Sequence, residues 1–348
     1  MDAAISRRRA LALLGAAGAV PASWLSAAPQ ASPCGPALDM HVHLFATKAG
    51  GSYLSPEQKR HVNYRYFLAL LRLHEGPRMD EEYVERLVAQ VRGSSVKRVV
   101  LVAQDCRYDG GRPDLGRTSF FVPNDYLFEV VARHPDVFVP CVSINPRRAD
   151  AVEELERCAA KGARVLKIHP PIQDVDPGDP AFRRFYRRCS ELGVVVMVHT
   201  GTEKAAATVG DELSRADRLV LALEEGCTVI AAHSCMSSFF EKEDFFPGLV
   251  ETVRRHPRLY CDTSNLASML RWRNLPRALA VREVRERLVY GSDFPFPANA
   301  LVFWSRLRPR TTLRLLSLRN LVERCYRLQL ALGLPQEALT RGATLIGA

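Results

Sequence analysis

Short apolar runs alternate with longer stretches of mixed apolar and polar residues along most of the chain. The short runs are rich in Val, Ile and Leu and are nearly continuous, which is typical of strands buried on both faces of a parallel sheet. They predict eight strands, near residues 37–43, 97–103, 137–143, 164–169, 194–199, 228–233, 258–262 and 287–292. The stretches between them predict helices near residues 80–92, 123–134, 149–161, 179–192, 211–226, 245–256 and 275–286.

Each predicted strand and the helix after it take about 30 residues, as a βαβ crossover requires. Eight such units favour a (β/α)8 TIM barrel over a doubly wound sheet. Further helices are predicted after the last strand, near residues 298–307, 318–332 and 335–346. A long insertion after the first strand, residues 44–79, contains Tyr64, Tyr66 and Phe67. A long loop on the catalytic face predicts a lid or a substrate-binding element.

The first predicted strand ends in the sequence His41-Val-His43, shortly after Asp39. Side chains two residues apart on a strand point the same way, so both imidazoles are expected to face the barrel interior and Val42 to face outward. Two imidazoles on one face of a strand end can chelate a divalent ion. A single histidine at such a position is more often a satisfied core residue, but the pair favours a metal site.

Three later strands also end in a residue that can bind a metal or move a proton. His199 ends the fifth strand and is the expected third nitrogen ligand. Asp293 follows the eighth strand, which lies beside the first in a closed barrel, and its carboxylate can bind the metal or accept a proton. His233 ends the sixth strand, where it either completes the metal shell or acts as a general base beside it.

Lys167 and His169 lie on one face of the fourth predicted strand. Three roles for Lys167 stay open: pairing with a substrate carboxylate, carboxylation and bridging of two metals, or balancing the charge of Asp293 or another acid at the rim. With His169 it forms a candidate site for substrate or for a second metal ion. Further candidates on the rim loops are Gln104, Asp105, Arg107, Asn145, Arg147 and Asn265.

Together these motifs resemble the amidohydrolase superfamily, in particular its amidohydrolase-related branch. The resemblance covers residues 37–346 and rests on His41-Val-His43, Leu166-Lys-Ile-His169-Pro170, His199-Thr-Gly201, Ala232-His233 and Gly291-Ser-Asp293-Phe-Pro295. That branch includes mononuclear zinc hydrolases, lactonases and nonoxidative decarboxylases. The resemblance implies that His41, His43, His199 and Asp293 bind the metal and that His233 is a catalytic histidine. The final helix matches the family ending only loosely, and an Arg-rich segment, residues 306–319, follows the last strand.

The formal net charge is +10. Its arginines are scattered along the predicted helices, and no aromatic-interleaved basic block occurs, so solvated helix faces are favoured over nucleic-acid binding. The charge is compatible with a small anionic substrate.

Residues 1–33 have the pattern of a secretory signal peptide. Paired arginines from Arg7 precede a weakly apolar run, residues 11–20, and small residues follow near Ser26. The pattern resembles a twin-arginine signal, which predicts export by the twin-arginine machinery to the periplasm or the medium. An uncleaved membrane anchor is the alternative, but the run is shorter than the roughly 20 residues that span a bilayer. Residues 34–348 are then predicted to form the barrel.

Nine cysteines are present, an odd number, and several lie inside apolar or helical runs. We therefore expect buried free thiols rather than disulfides. Thiols of this kind fit a protein that folds in the reducing cytoplasm before export.

The pattern predicts a metal-dependent hydrolase, with Zn²⁺ the expected ion, that uses metal-activated water to cleave an amide, ester or lactone bond. The first alternative is a nonoxidative decarboxylase or lyase of an unsaturated or aromatic carboxylic acid on the same metal site. The second is an exported binding protein with a vestigial site.

Overall fold

The computed structural model describes residues 36–206, 208 and 210–348. Eight parallel strands form its central sheet. They are β1 (Ala37–His43), β2 (Val96–Val102), β3 (Phe138–Ser143), β4 (Val165–Ile168), β5 (Val195–His199), β6 (Val229–Ala232), β7 (Leu259–Asp262) and β8 (Leu288–Val289). Each overlaps a strand predicted from the sequence, and only β8 is much shorter than predicted. The predicted signal segment, residues 1–33, and Cys34 lie outside the described residues.

The strands pair in chain order from β1 to β8. The ring closes through backbone hydrogen bonds between β1 and the segment after β8: Met40 N–H to Tyr290 O at 2.9 Å, Asp293 N–H to His41 O at 2.9 Å and His43 N–H to Phe294 O at 3.0 Å. These bonds confirm the (β/α)8 barrel. They also place Asp293 directly beside the first strand, at the carboxyl ends of the strands where TIM-barrel active sites lie.

Fourteen α-helices occur in the described part of the chain. They are α1 (Pro56–Arg60), α2 (Val62–Leu71), α3 (Met79–Arg92), α4 (Asn124–Arg133), α5 (Ala151–Ala160), α6 (Pro170–Gln173), α7 (Arg183–Glu191), α8 (Val220–Glu224), α9 (Phe246–Arg255), α10 (Asn274–Ala280), α11 (Arg282–Arg285), α12 (Pro309–Ser317), α13 (Leu321–Ala331) and α14 (Glu337–Ile346). No helix among these residues is both long enough and apolar enough to span a bilayer.

Several predicted helices are broken where the backbone becomes extended. The helix predicted for 211–226 becomes two 3₁₀ turns and α8, because Arg215 is extended at ψ 154°. The helix predicted for 275–286 divides into α10 and α11 at Val281, which is also extended. The helix predicted for 298–307 is a 3₁₀ turn, Ala300–Phe303. Near the C-terminus α13 begins after Asn320, whose side chain accepts a hydrogen bond from the Glu323 N–H and caps the helix.

The insertion after β1 is folded and carries α1 and α2. A two-residue strand, Tyr53–Leu54, pairs antiparallel with Phe120–Phe121 from the loop after β2. Gln58 donates to Ala205 O at 2.8 Å and Asn63 donates to Lys204 O at 2.9 Å. The insertion is therefore tied to the loop after β5 and lies over the catalytic face.

Strand β1 contains a register shift between Asp39 and Val42. Leu38 and Met40 belong to the apolar cluster inside the barrel, whereas Val42 packs in the shell between strands and helices. Strict alternation from Met40 would turn His41 outward, and the irregularity re-aims it. His41 and His43 thus face the barrel interior and Val42 faces outward, as predicted.

The bottom of the barrel is apolar and is closed by α14. Ile346 belongs to the interior cluster, and a Cβ built on Gly342 would overlap the Met40 side chain. Glycine is required here for the close approach of helix to strand. All eight described cysteines are free and buried, which confirms the predicted thiols for those positions.

We predict that Gly342→Val lowers the free energy of unfolding by about 1–3 kcal/mol, because the added methyl groups overpack the fully buried Met40 side chain. The exposed substitution Thr344→Val on the same helix is the control, with an expected change within about 0.5 kcal/mol. Urea unfolding of both variants measures the difference. Equal stability of the two variants would show that α14 can move away from β1 without cost.

Candidate metal centre and active site

Three of the predicted metal ligands meet where the barrel closes. His43 Nε2 lies 3.1 Å from Asp293 Oδ1, and His41 Nε2 lies 3.5 Å from the same oxygen. One ligand atom from each of the three residues falls within 4.8 Å of the others, which suits a divalent ion. The β1 irregularity and the closure hydrogen bonds produce this arrangement.

His199, the fourth predicted ligand, lies in a neighbouring group with His169 and Glu203. Its ring stacks on that of His169 at 4.2 Å between centroids. His169 Nε2 donates to Glu203 Oε2 at 3.0 Å, while its Nδ1 lies 3.2 Å from Gln104 Oε1. Both ring nitrogens of His199 are buried and have no hydrogen-bond partner. Buried polar groups normally form hydrogen bonds. A buried imidazole whose two nitrogens form none has a nitrogen available to bind a metal ion.

His233 connects these two groups. Its ring centroid lies 4.7 Å from that of His199 and 5.1 Å from that of His41. Ser264 Oγ donates to Asp262, so His233 Nδ1 donates to Ser264 Oγ at 2.8 Å. In the neutral ring this leaves Nε2 unprotonated, able to accept a proton or bind a metal.

Asp262, at the end of β7, organises the histidines and was missed in the sequence analysis. Its Oδ2 accepts from His41 Nδ1 at 2.8 Å. Its Oδ1 accepts from the His233 N–H at 2.7 Å and the Ser264 N–H at 3.0 Å. An oxygen of Asp262 and one ring nitrogen each of His41 and His233 also lie within 4.8 Å of one another, close enough to share a metal ion. Because both oxygens already accept hydrogen bonds, Asp262 fits the role of a carboxylate that orients a ligating histidine.

The backbone after β6 is strained. His233, Ser234 and Cys235 all have left-handed φ values, of 62°, 54° and 52°. Side chains hold them in place: Ser234 Oγ donates to Asp262 O at 2.6 Å and the Cys235 N–H donates to Thr200 Oγ1 at 2.8 Å. Left-handed residues other than glycine are concentrated at functional sites. Gly201 must also approach closely, since a Cβ there would overlap the Met236 backbone.

Lys167 is fully buried, and its Nζ lies 3.3 Å from His41 Nε2. No carboxylate among the described residues lies within ion-pair distance of it. Burial lowers its pKa, while the charges of Asp262 and Asp293 oppose the shift. Because Nδ1 of His41 donates to Asp262, its Nε2 is unprotonated in the neutral ring, and Lys167 Nζ donates to that nitrogen, which also faces Asp293.

Arg271, on the loop after β7, is a second residue that the sequence analysis missed. It is 6% exposed and lines the cavity above the histidines. One guanidinium nitrogen, Nη2, donates to Thr202 O, while Nη1 has no partner. An unpaired buried guanidinium nitrogen is suited to bind an anionic oxygen.

Burial keeps most of the imidazoles neutral. It lowers the pKa of His41, His199 and His233 well below the ordinary value, and neighbouring positive charges add to the effect. Burial also lowers the pKa of His169 to about 4, although Glu203 opposes the shift. Neutral imidazole is the form that binds metal.

Among the acids, burial raises the pKa of Asp293, opposed by its hydrogen bond with His43. Burial would also raise the pKa of Glu203, but the hydrogen bond from His169, that ring's charge and the Ala205 N–H together lower it to about 2. Two carboxylates at one site thus differ in basicity.

The donor set fits a divalent metal ion. It consists of imidazole nitrogens and carboxylate oxygens, which suit Zn²⁺ and similar ions. His41, His43 and Asp293 supply one ligand group, and His199 with its two unpartnered nitrogens faces the same cavity.

The other rim candidates divide by role. Asp105 accepts from the Asn145 N–H at 2.8 Å, and Asn145 donates to Cys106 O and Gln173 O, so both hold loops together. Arg107 donates to Ile172 O. Asn265 lines the cavity.

Comparison with known proteins agrees with this geometry. A family model described as Amidohydrolase matches residues 38–302. No curated protein matches the chain.

Three solved structures show the same fold. An uncharacterised TIM-barrel protein from Bordetella bronchiseptica is 16% identical, with a TM-score of 0.56 over 85% of this chain and 99% of that one. A protein from Acinetobacter baumannii assigned as a 2-pyrone-4,6-dicarboxylic acid hydrolase, with citric acid bound, is 14% identical, with a TM-score of 0.51 over 90% and 100%. The 5-carboxyvanillate decarboxylase from Sphingomonas paucimobilis is 14% identical, with a TM-score of 0.52 over 89% and 98%.

We predict that Asp262→Asn lowers metal affinity by about 10- to 100-fold, the usual effect of losing a partner that orients a ligand. The new amide would present an N–H to His41 Nδ1, which forces the proton onto Nε2 and blocks that ligand atom. Competition with a chromophoric chelator measures the affinity. Ser317→Ala, an exposed substitution on α12, is the control. Unchanged affinity in the asparagine variant would exclude an orienting role for Asp262.

We predict that His169 makes the metal-free protein less stable as the pH falls from about 6.5 to about 4. In this window the ring is protonated in the unfolded chain and neutral in the folded protein. The contribution of His169 to the free energy of unfolding is therefore complete above pH 6.5 and decreases by about 1.4 kcal/mol per pH unit below it. Urea unfolding of the wild type and His169→Asn at several pH values gives the difference. A difference that does not vary with pH would contradict the lowered pKa.

Proposed function

The chain belongs to the amidohydrolase family, and on this premise we propose that it is a metal-dependent hydrolase that cleaves an amide, ester or lactone bond of a small anionic substrate. One observation carries the proposal: His43, His169, His199 and His233 converge with Asp293 on one cavity, and both nitrogens of His199 lack a hydrogen-bond partner.

In this proposal His41, His43, His199 and Asp293 hold the ion, and the proposed ion is Zn²⁺. A divalent ion there supplies Lewis acidity and lowers the pKa of water to about 7. Lys167 Nζ holds the unprotonated nitrogen of His41 in place. The fixed tautomer of His41 follows from its bond to Asp262.

His233 and Asp293 move protons in this mechanism. The hydrogen bond to Ser264 fixes His233 with a proton on Nδ1, so that its Nε2 can take a proton from the attacking water and return it to the leaving group. In the metal-free protein burial raises the pKa of the Asp293 carboxyl group, and we propose that this carboxylate is the second proton acceptor.

Arg271 supports an anionic substrate. Its side chain lines the cavity together with His233 and Asp293, and its Nη1 has no hydrogen-bond partner. A substrate carboxylate or the oxyanion that develops at the scissile carbonyl would satisfy it.

Decarboxylation of an unsaturated or aromatic acid is the second candidate. The same Arg271 nitrogen could hold a carboxylate, and His233 could protonate the carbon that loses it. The fold shared with a decarboxylase supports this alternative. Decarboxylation is distinguished from hydrolysis by its product, CO₂.

We further propose that residues 1–33 direct export through the twin-arginine machinery to the periplasm or the medium. The eight buried free thiols support folding in a reducing compartment before export.

We predict that His199→Ala loses both the bound metal and catalysis, because the change removes one of the four proposed metal ligands. Metal content by plasma mass spectrometry and turnover of chromogenic esters, lactones and anilides are measured together with CO₂ release from aromatic acids. The exposed His74→Ala is the matched control and should retain both metal and activity.

Full turnover by metal-free His199→Ala would overturn the proposed mechanism. Release of CO₂ without hydrolysis would establish the decarboxylase instead.

A further inference from the structure

A cavity of about 410 Å³ opens above the metal centre, and its floor and walls differ in chemistry. The floor presents His43, His199, His233 and Asp293. The walls are largely hydrocarbon. We call their main part the apolar cleft, formed by Phe67, Leu68, Leu71, Met269, Leu270 and Phe296.

The cleft has two sides from different parts of the chain. Helix α2 of the insertion supplies one side, and the loops after β7 and β8 supply the other. The sides touch where the Phe67 ring meets the Phe296 ring edge-on, with centroids 4.6 Å apart. The polar residues Gln58 and Asn63 in the lining already donate to backbone carbonyls of the loop after β5. Their amide groups are thus engaged in holding the cleft together.

Apolar side chains remain exposed where the cleft opens. Val62 is 72% exposed, Met269 is 56% exposed and Leu270 is 42% exposed, and all three line this one cavity. Exposed apolar surface gathered around a concave site marks a binding region. Since the surface continues into the cavity and ends at the metal centre, its occupant is a group attached to the reacting carbonyl.

We propose that the substrate is amphipathic: an acyl or alkyl chain of several carbons occupies the apolar cleft while its carbonyl group lies at the metal centre. The proposal rests on the hydrolase function proposed above and names the substrate class. Arg271 then faces the polar end of the substrate, and α2 determines specificity for the apolar end.

The test is a series of straight-chain hydroxamates, from acetohydroxamate to octanohydroxamate, titrated by calorimetry into the zinc-loaded protein. Each added methylene that enters the cleft is expected to tighten binding by about fourfold, from the transfer free energy of about 0.8 kcal/mol per buried CH₂. Phe67→Ala and Met269→Ser should flatten this dependence while leaving acetohydroxamate binding unchanged. Leu313→Ser is the control for Met269→Ser: Leu313 is 62% exposed and lies outside the cavity, so this variant should keep the full dependence.

Equal affinity for acetohydroxamate and octanohydroxamate in the wild type would overturn the inference and leave the hydrolase proposal intact. If no hydroxamate binds, the zinc-centred function fails. The metal-free protein then decides about the cleft: octanoate binding that is weakened in Phe67→Ala supports it, and equal binding of octanoate and acetate rejects it.

Discussion

The hydrogen bond between Asp262 and His41 is the contact on which the rest of the site depends. It joins β7 to β1 across the barrel and determines which nitrogen of His41 carries the proton. The second oxygen of Asp262 accepts from the backbone of His233 and from Ser264, so the same carboxylate also positions the sixth-strand histidine. Burying a carboxylate without such donors would lower the stability of the fold. The hydrogen bonds of Asp262 satisfy both of its oxygens and fix the positions of residues from three strands.

The two ends of the barrel differ: the lower end stabilises the fold, and the upper end holds the candidate active site. Its lower interior is filled with apolar side chains and closed by α14. Its upper interior buries Lys167, Asp262 and Asp293 almost completely, together with a left-handed turn from His233 to Cys235. Buried charges and left-handed residues of this kind cost stability and persist only where the surrounding structure holds them. The apolar lower end and the surrounding helices supply that support.

The rule that polar residues at the ends of parallel strands converge accounts for most of what could be predicted. It identified His41, His43, His199, His233 and Asp293, and the same rule applied to Leu259-Tyr-Cys-Asp262 would have identified Asp262. Glu203 and Arg271 lie on loops, where no periodic pattern indicates direction, so their burial follows only from tertiary packing. The register shift in β1 could not be predicted from the sequence either, because apolar side chains face inward before it and histidine side chains face inward after it. The insertion was expected to cover the catalytic face, but its two helices were not predicted, although Ser55 followed by Pro56 is an N-cap signal for α1.

The apolar cleft and the floor of the cavity would act together on the substrate. Burial is the main cause of the lowered pKa of His199 and His233, and it keeps their nitrogen lone pairs available for a metal. The cleft supplies the surface against which an apolar substrate would pack. A substrate chain that fills the cleft would remove further water and strengthen the charge interactions of Arg271 and Asp293 with the reacting group. Substrate recognition by α2 and reactivity at the strand ends are in this way coupled, because both occur in one cavity.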